Sequence, residues 1–273
     1  MPSNREIAKN IGVFDSGIGG LTVVKELAKL LPKETIIYFG DTARVPYGNK
    51  SAATVTKYSF QNTRFLVEKD IKLMVVACNT ATALSLGLLQ ESFPDLPIIG
   101  VIEPGVKAAL KSSKNAKIGV IGTAATISSQ AYNRALRQSE RGVEVSVQAC
   151  PLFVPLVEEG WVNKKVTKLI AEEYLAGMKR IGIDSLILGC THYPLLKKII
   201  GQVMGKKVKL IDSAQTVAQA VKNLLQEEKL AKTTGKGECI FFVSDVPEKF
   251  ISVGQQLLGE KIQQATQIDI EKF

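Results

Sequence analysis

The chain has 273 residues, of which 45% are hydrophobic, 22% are charged and 6% are aromatic. These values exclude a disordered chain, and the four scattered cysteines exclude a disulfide scaffold. The polar start of the chain lacks a signal-peptide core, and every apolar run is shorter than a membrane span, so we expect a cytoplasmic protein without membrane segments.

Strand-like and helix-like segments alternate along the chain. The predicted strands cover 11–14, 35–39, 71–77, 97–102, 117–121, 143–150, 185–189, 208–211 and 239–243. Helices are predicted between the strands, among them 21–30, 51–69, 80–90, 128–138, 164–180 and 214–226, and 227–238 is predicted to be a surface loop. Apolar strands separated by helices are typical of parallel sheets that are covered on both faces, so the predicted fold class is α/β.

The second half of the chain repeats the pattern of the first. The segment 10–17 resembles 117–124, and 75–80 resembles 187–192. In each half a first strand ends in a small polar turn, and a later strand ends in cysteine followed by hydroxyl or amide groups. This repetition predicts two similar α/β units.

Two cysteines occupy matching strand-end positions in the two units, Cys78 and Cys190. Ligands of parallel α/β folds bind beyond the carboxyl ends of strands, so both thiols are candidates for one cleft. The ordinary alternative is that each is a small buried apolar residue, which is common for free cysteine. Their matching positions beside Asn or Thr favour function, whereas Cys150 and Cys239 lack such neighbours and are interpreted as structural.

The single histidine, His192, lies two residues after Cys190. A Cys–His pair can carry protons or supply a nucleophile, although a packed structural histidine is the ordinary alternative. Glu158 and Glu159 follow Pro155 and are expected to be solvated, and one of them could orient His192. The spacing of common zinc sites is missing, so we expect no metal.

Polar turns follow several of the other predicted strands. Asp15 and Ser16 open a glycine-rich turn that offers backbone N–H groups to an anion, but the turn matches no nucleotide-binding motif. Pro46, Tyr47 and Gly48 lie in a long polar loop, which by itself indicates only a turn.

These motifs together resemble the glutamate racemase family. The segments 13–20, 45–48, 77–81 and 188–194 match the family in order and spacing, and 150–160 matches its mid-chain segment. The resemblance implies two α/β domains with the active site in the cleft between them. By the same resemblance, the first domain comprises 1–101 and 213–273, and the second comprises 102–212.

The resemblance also implies an activity. It indicates a cofactor-independent racemase, likewise without a metal, that interconverts L- and D-glutamate, supplies D-glutamate for peptidoglycan and forms a homodimer. Cys78 and Cys190 would carry the proton on opposite faces of Cα, supported by Asp15, His192 and Glu158. The residues implied to bind substrate are Asp15, Ser16, Pro46, Tyr47, Gly48, Asn79, Thr80, Thr123, Thr126, Thr191 and His192.

Other functions remain open on the sequence. A racemase for aspartate or another amino acid is the nearest alternative, whereas a related decarboxylase would need only one of the two thiols. A non-catalytic binding protein would not need both thiols. The net charge of +9 allows nucleic-acid binding, but the lysines are dispersed, so we expect no nucleic-acid requirement.

Overall fold

The fold is built from two parallel β-sheets, each with helices on both faces. The computed structural model describes residues 2–139, 142–258, 262 and 264–273. The strands in these residues are β1 (Asn10–Asp15), β2 (Ile36–Gly40), β3 (Ile71–Val76), β4 (Ile98–Gly100), β5 (Lys117–Gly122), β6 (Glu144–Ala149), β7 (Ser185–Gly189), β8 (Lys209–Asp212), β9 (Cys239–Val243) and β10 (Thr266–Gln267).

Four strands of the larger sheet share the topology of the smaller sheet. The larger has the order β10-β9-β2-β1-β3-β4 and the smaller β6-β5-β7-β8, with parallel pairing throughout the described strands. In both sheets the first strand lies between the second and the third, and the fourth follows the third. The predicted α/β class and the two similar units are confirmed.

Helices connect the strands and cover the sheets. The described helices are α1 (Asn4–Ala8), α2 (Leu21–Leu30), α3 (Ala52–Val67), α4 (Asn79–Ser92), α5 (Ile102–Ser112), α6 (Ala124–Ser128), α7 (Ala131–Arg137), α8 (Phe153–Glu158), α9 (Lys165–Ile181), α10 (Lys197–Met204), α11 (Ser213–Glu227) and α12 (Pro247–Leu258). Within the same residues, 3₁₀ turns cover Tyr47–Asn49, Tyr193–Leu196 and Ile270–Lys272. Within the described residues, no helix has the length and apolar character needed to cross a membrane.

The apolar runs are explained by burial on both faces of each sheet. On β1, Ile11 and Val13 pack into the cluster under α2 and α11, whereas Phe14 packs into the cluster under α3 and α4. Successive residues of a strand point to opposite faces, so a strand with two covered faces needs apolar residues at nearly every position.

Two predicted elements differ from the structure. The predicted strand 97–102 ends at Gly100, because Val101 already has helical backbone angles and Ile102 begins α5. The predicted helix 128–138 is divided between α6 and α7 by Gln130, whose φ is 58°. At this break the Ser129 hydroxyl donates to the Thr126 carbonyl and accepts from the Ala131 N–H, which offers the backbone an alternative to a continuous helix.

The larger sheet uses both ends of the chain and the smaller sheet its middle. After β8 the chain returns to the larger sheet, where Val217 and Val221 of α11 pack with Val23 and Val24 of α2. The proposed domain limits, 1–101 with 213–273 and 102–212, stay a prediction. Expressing the residues 102–212 alone would test whether they fold as a unit.

Candidate active site

Cys78 lies between β3 and the first turn of α4. Its side chain is buried, and its thiol lies 3.7 Å from the Ser16 hydroxyl oxygen. Burial, followed by the negative charge of Asp15, raises the pKa of Cys78 from 9.0 to about 12. At neutral pH Cys78 is therefore a protonated thiol that can donate a proton.

Cys190 follows β7 and faces the only histidine of the sequence. Its sulfur lies 3.7 Å from His192 Nδ1. On the other side of the ring, His192 Nε2 lies 3.3 Å from Glu158 Oε1, an ion pair whose alignment falls short of a hydrogen bond. Burial favours neutral imidazole, but the contacts with Cys190 and Glu158 outweigh it and raise the His192 pKa to about 10. A positively charged group therefore lies beside Cys190 at neutral pH.

The side chain of Glu158 is less exposed to solvent than the sequence predicted. It ends α8, and its side chain is only 25% exposed, so it is not one of the solvated carboxylates expected after Pro155. Glu159 is exposed, as expected. The family resemblance implies Glu158 as the partner of His192, and the structure places Glu158 Oε1 beside His192 Nε2.

Replacing Glu158 with glutamine is expected to lower the pKa of His192. Because His192 is the only histidine, its NMR titration is assigned without ambiguity. The parent should titrate near pH 10, and Glu158→Gln should titrate about one pH unit lower, since it removes a neighbouring negative charge. Because the His192 pKa is raised on folding, protonated His192 contributes to the free energy of unfolding. This contribution is complete below pH 6.5 and is lost as pH rises through about 10.

Glu159→Gln is the matched control, because this neighbouring carboxylate is exposed. It should leave the titration of His192 unchanged. An equal pKa in Glu158→Gln and the parent would show that the Glu158 contact does not hold the proton on His192.

Asp15 joins the two halves of the molecule at the end of β1. It is fully buried; its Oδ1 accepts the Gly17 N–H at 3.1 Å, and its Oδ2 accepts the Thr191 hydroxyl at 3.2 Å. The Thr22 hydroxyl donates to the Thr191 carbonyl at 3.1 Å. Burial raises the pKa of Asp15, while His192 opposes that shift. These contacts fix the loop after β7 against the turn after β1.

Asp41 organises the loop that carries Pro46 to Gly48, a role that the sequence reasoning did not assign. Its carboxylate accepts hydrogen bonds from the hydroxyl of Tyr47, from Arg44 Nε at 2.8 Å and from the Ser244 hydroxyl at 2.9 Å. Asn62 Nδ2 donates to the Tyr47 hydroxyl at 3.1 Å. The Tyr47 phenol is therefore engaged inside the larger unit. The only sequence signal was an aspartate two residues after the predicted strand 35–39.

Three threonine hydroxyls form a triangle in the cleft between the larger unit, which carries Thr80, and the smaller unit, which carries Thr123 and Thr126. Thr80 Oγ1 lies 2.9 Å from Thr123 Oγ1 and 3.1 Å from Thr126 Oγ1, and the last two lie 2.9 Å apart. Gly48 approaches the same group, because a Cβ added there would lie 2.5 Å from the Thr123 Cβ. The loop after β2 and the turn after β5 therefore meet over the cleft with no room for a side chain between them.

One cavity brings most of the predicted residues together. Its empty volume, which includes the open solvent at its mouth, is about 310 Å³. The predicted residues that line it are Ser16, Pro46, Tyr47, Gly48, Cys78, Asn79, Thr80, Thr123, Cys190, Thr191 and His192. Val45 and Val154 also line it and were not predicted.

Three predicted residues lie behind this lining. Asp15 and Thr126 reach it through Thr191 and Thr80, and Glu158 reaches it through His192. Neither Cys150 nor Cys239 lines the cavity. Cys150 is fully buried in the core beside α8 and α9. The arrangement can therefore present two thiols, several hydroxyls and an amide to one small molecule.

Comparison with known proteins identifies close relatives. The family model described as Asp/Glu/hydantoin racemase matches residues 11–221. A glutamate racemase of Geobacter metallireducens is 53% identical over 264 residues, which are 96% of this chain and 97% of the relative.

Two solved structures are also similar. A glutamate racemase isoform of Bacillus anthracis has a TM-score of 0.93 at 39% identity, covering 96% of this chain and 98% of the other. The glutamate racemase of Francisella tularensis, solved in complex with D-glutamate, has a TM-score of 0.92 at 42% identity, covering 98% and 100%.

Proposed function

The chain belongs to the Asp/Glu/hydantoin racemase family, and on that premise we propose that it interconverts L- and D-glutamate without a cofactor. One observation of the structure carries the proposal: Cys78 and Cys190, which follow strands of different sheets, line the same cavity. Inversion at Cα needs one proton carrier on each face, and the two thiols supply this pair. The name shared by the relatives and the D-glutamate bound in the Francisella structure support glutamate as the substrate.

In the proposed reaction of L-glutamate, the Cys190 thiolate removes the Cα proton and the Cys78 thiol protonates the opposite face. The Cα–H bond breaks toward Cys190 and the new one forms from Cys78, so the cavity gains and loses no proton. The protonated state of Cys78 at neutral pH suits its role as the donor in this direction. The charged His192 beside Cys190 stabilises that thiolate. The D-to-L direction uses the same groups with exchanged roles.

The cavity also offers donors to the negative charge that develops as the proton leaves. Asn79 and the hydroxyls of Thr80, Thr123 and Thr191 line it. Hydrogen-bond donors that are fixed before the reaction lower the energy of the carbanion-like state. We propose that these groups hold the substrate carboxylates while Cα lies between the two thiols. Asp15 keeps the Thr191 hydroxyl in place.

The test is turnover of L-glutamate in D₂O without added cofactor. Polarimetry should show optical rotation falling to zero, and proton NMR should show deuterium entering Cα. A folded protein that neither inverts nor exchanges glutamate would overturn the proposal. Aspartate and other amino acids under the same conditions would then identify another substrate, and binding without turnover would indicate a binding protein.

We further propose the cellular setting that the family resemblance implies. The protein acts in the cytoplasm as a homodimer and supplies D-glutamate for peptidoglycan. Light scattering of the purified protein tests the dimer, and D-glutamate dependence of growth after gene deletion tests the role in the cell wall.

A further inference from the structure

Asn79 presents only one side of its amide to the cavity. The side chain is 2% exposed, and its Oδ1 accepts a hydrogen bond from the Tyr132 hydroxyl at 2.7 Å. Its Nδ2 is buried and has no hydrogen-bond partner among the described residues. A buried amide nitrogen without a partner is unfavourable unless a ligand provides an acceptor. Because Asn79 lines the cavity, a ligand bound there can provide that acceptor.

Tyr132 reaches Asn79 from the opposite half of the molecule. It lies on α7, which belongs with the smaller sheet, and its side chain is buried. Its ring also packs beside β7, because a Cβ added to Gly189 would lie 3.1 Å from Tyr132 Cε2. One side chain therefore touches the residue that follows Cys78 and the residue that precedes Cys190.

The Tyr132 hydroxyl is suited to act as a donor. Burial raises the pKa of Tyr132 above its ordinary value, so the hydroxyl keeps its proton at neutral pH. An asparagine amide can be turned by 180° at little steric cost, so its orientation depends on its hydrogen-bond partners. In the turned orientation Oδ1 would face the cavity and repel a carboxylate.

We propose that Tyr132 is a positioning residue for the racemase reaction: it fixes the Asn79 amide so that Nδ2 donates to a carboxylate oxygen of the amino-acid substrate. Tyr132 is not among the residues that line the cavity and acts through Asn79. This inference rests on the proposed function. It also explains how the smaller unit contributes to a substrate contact made by the larger one.

The first variant is Tyr132→Phe, which removes the hydroxyl and keeps the ring against Gly189. We expect KM for L- and D-glutamate to rise about tenfold, with a smaller change in kcat, because ground-state orientation of the amide is lost and both thiols remain. Circular dichroism and thermal unfolding establish that the variant is folded.

A double-mutant cycle with Asn79→Ala tests whether Tyr132 acts through Asn79. In the Asn79→Ala background, Tyr132→Phe should change KM by less than twofold, since no amide remains to be oriented. Tyr193→Phe is the matched control. Tyr193 is equally buried, and its hydroxyl donates to the Cys150 carbonyl at 2.9 Å, so its effect should be the same in both backgrounds.

Asn79→Asp gives an independent test that does not depend on the folding of Tyr132→Phe. It keeps an acceptor for Tyr132 but replaces the donor that faces the cavity with an oxygen, so KM should rise at least about tenfold. Independent effects of Tyr132→Phe and Asn79→Ala, or an unchanged KM in Asn79→Asp, would overturn the inference. A parent protein without turnover would instead overturn the proposed function.

Discussion

Cys78→Ser and Cys190→Ser are each expected to lower racemisation of glutamate by about 10²- to 10⁴-fold, the usual contribution of a positioned acid or base. Serine nearly preserves the shape of the cavity, so the loss reflects the chemistry of the thiol. A hydroxyl is a far weaker acid than a thiol and cannot form the base required on one face of Cα. Both residues line the same cavity, and in the proposed mechanism each serves a different face of Cα, so neither can replace the other.

The two variants should differ in the enantiomer whose Cα proton they still exchange with solvent. Incubated in D₂O with each pure enantiomer, Cys78→Ser should still exchange the Cα proton of L-glutamate through Cys190. Cys190→Ser should exchange only that of D-glutamate. Cys239→Ser is the control, because this half-buried cysteine lies outside the cavity and should keep full turnover. Full racemisation by either Cys78→Ser or Cys190→Ser would exclude the two-base mechanism.

Gly19→Ala is expected to lower kcat/KM for glutamate by about 10²-fold or more. A Cβ at Gly19 would lie 2.4 Å from Thr191 Oγ1 and 2.6 Å from His192 Nδ1, far inside contact distance. Neither neighbour can move freely, since the Thr191 hydroxyl is hydrogen-bonded to Asp15 and His192 lies between Cys190 and Glu158. The methyl group would therefore displace the loop that carries Cys190, and a displacement of about 1 Å can cost 10²-fold in rate.

Gly87→Ala is the matched control for Gly19→Ala. Gly87 is exposed within α4, and no atom of the described residues lies within 4 Å of a Cβ added there. Alanine should stabilise the helix by about 0.5–1 kcal/mol and leave turnover unchanged. Steady-state kinetics and thermal unfolding of both variants separate the two effects. Parent-like turnover in Gly19→Ala would show that the close approach of the two turns is not needed for catalysis.

Much of the fold was predictable because strands that are buried on both faces appear in the sequence as apolar runs. Apolar runs at 71–76 and 185–189 are strands covered on both faces, and both of the cysteines that follow them reach the cavity. Local hydrogen bonds and packing determined the boundaries that the prediction missed. The apolar run at 97–102 is shared by a short strand and a helix start, and the break at Gln130 depends on side-chain bonds of Ser129.

The sequence by itself determined the α/β class, the two similar units, the strand-end positions of Cys78 and Cys190, and the family resemblance. Only the tertiary structure decided which distant residues hold the residues of the site in place. Tyr132 contacts Asn79, which is 53 positions away in the sequence, and Ser244 contacts Asp41, which is 203 positions away. The reason is physical. Periodicity and turn chemistry act over a few neighbouring residues, whereas the partner of a buried polar group depends on how the two sheets are placed against each other.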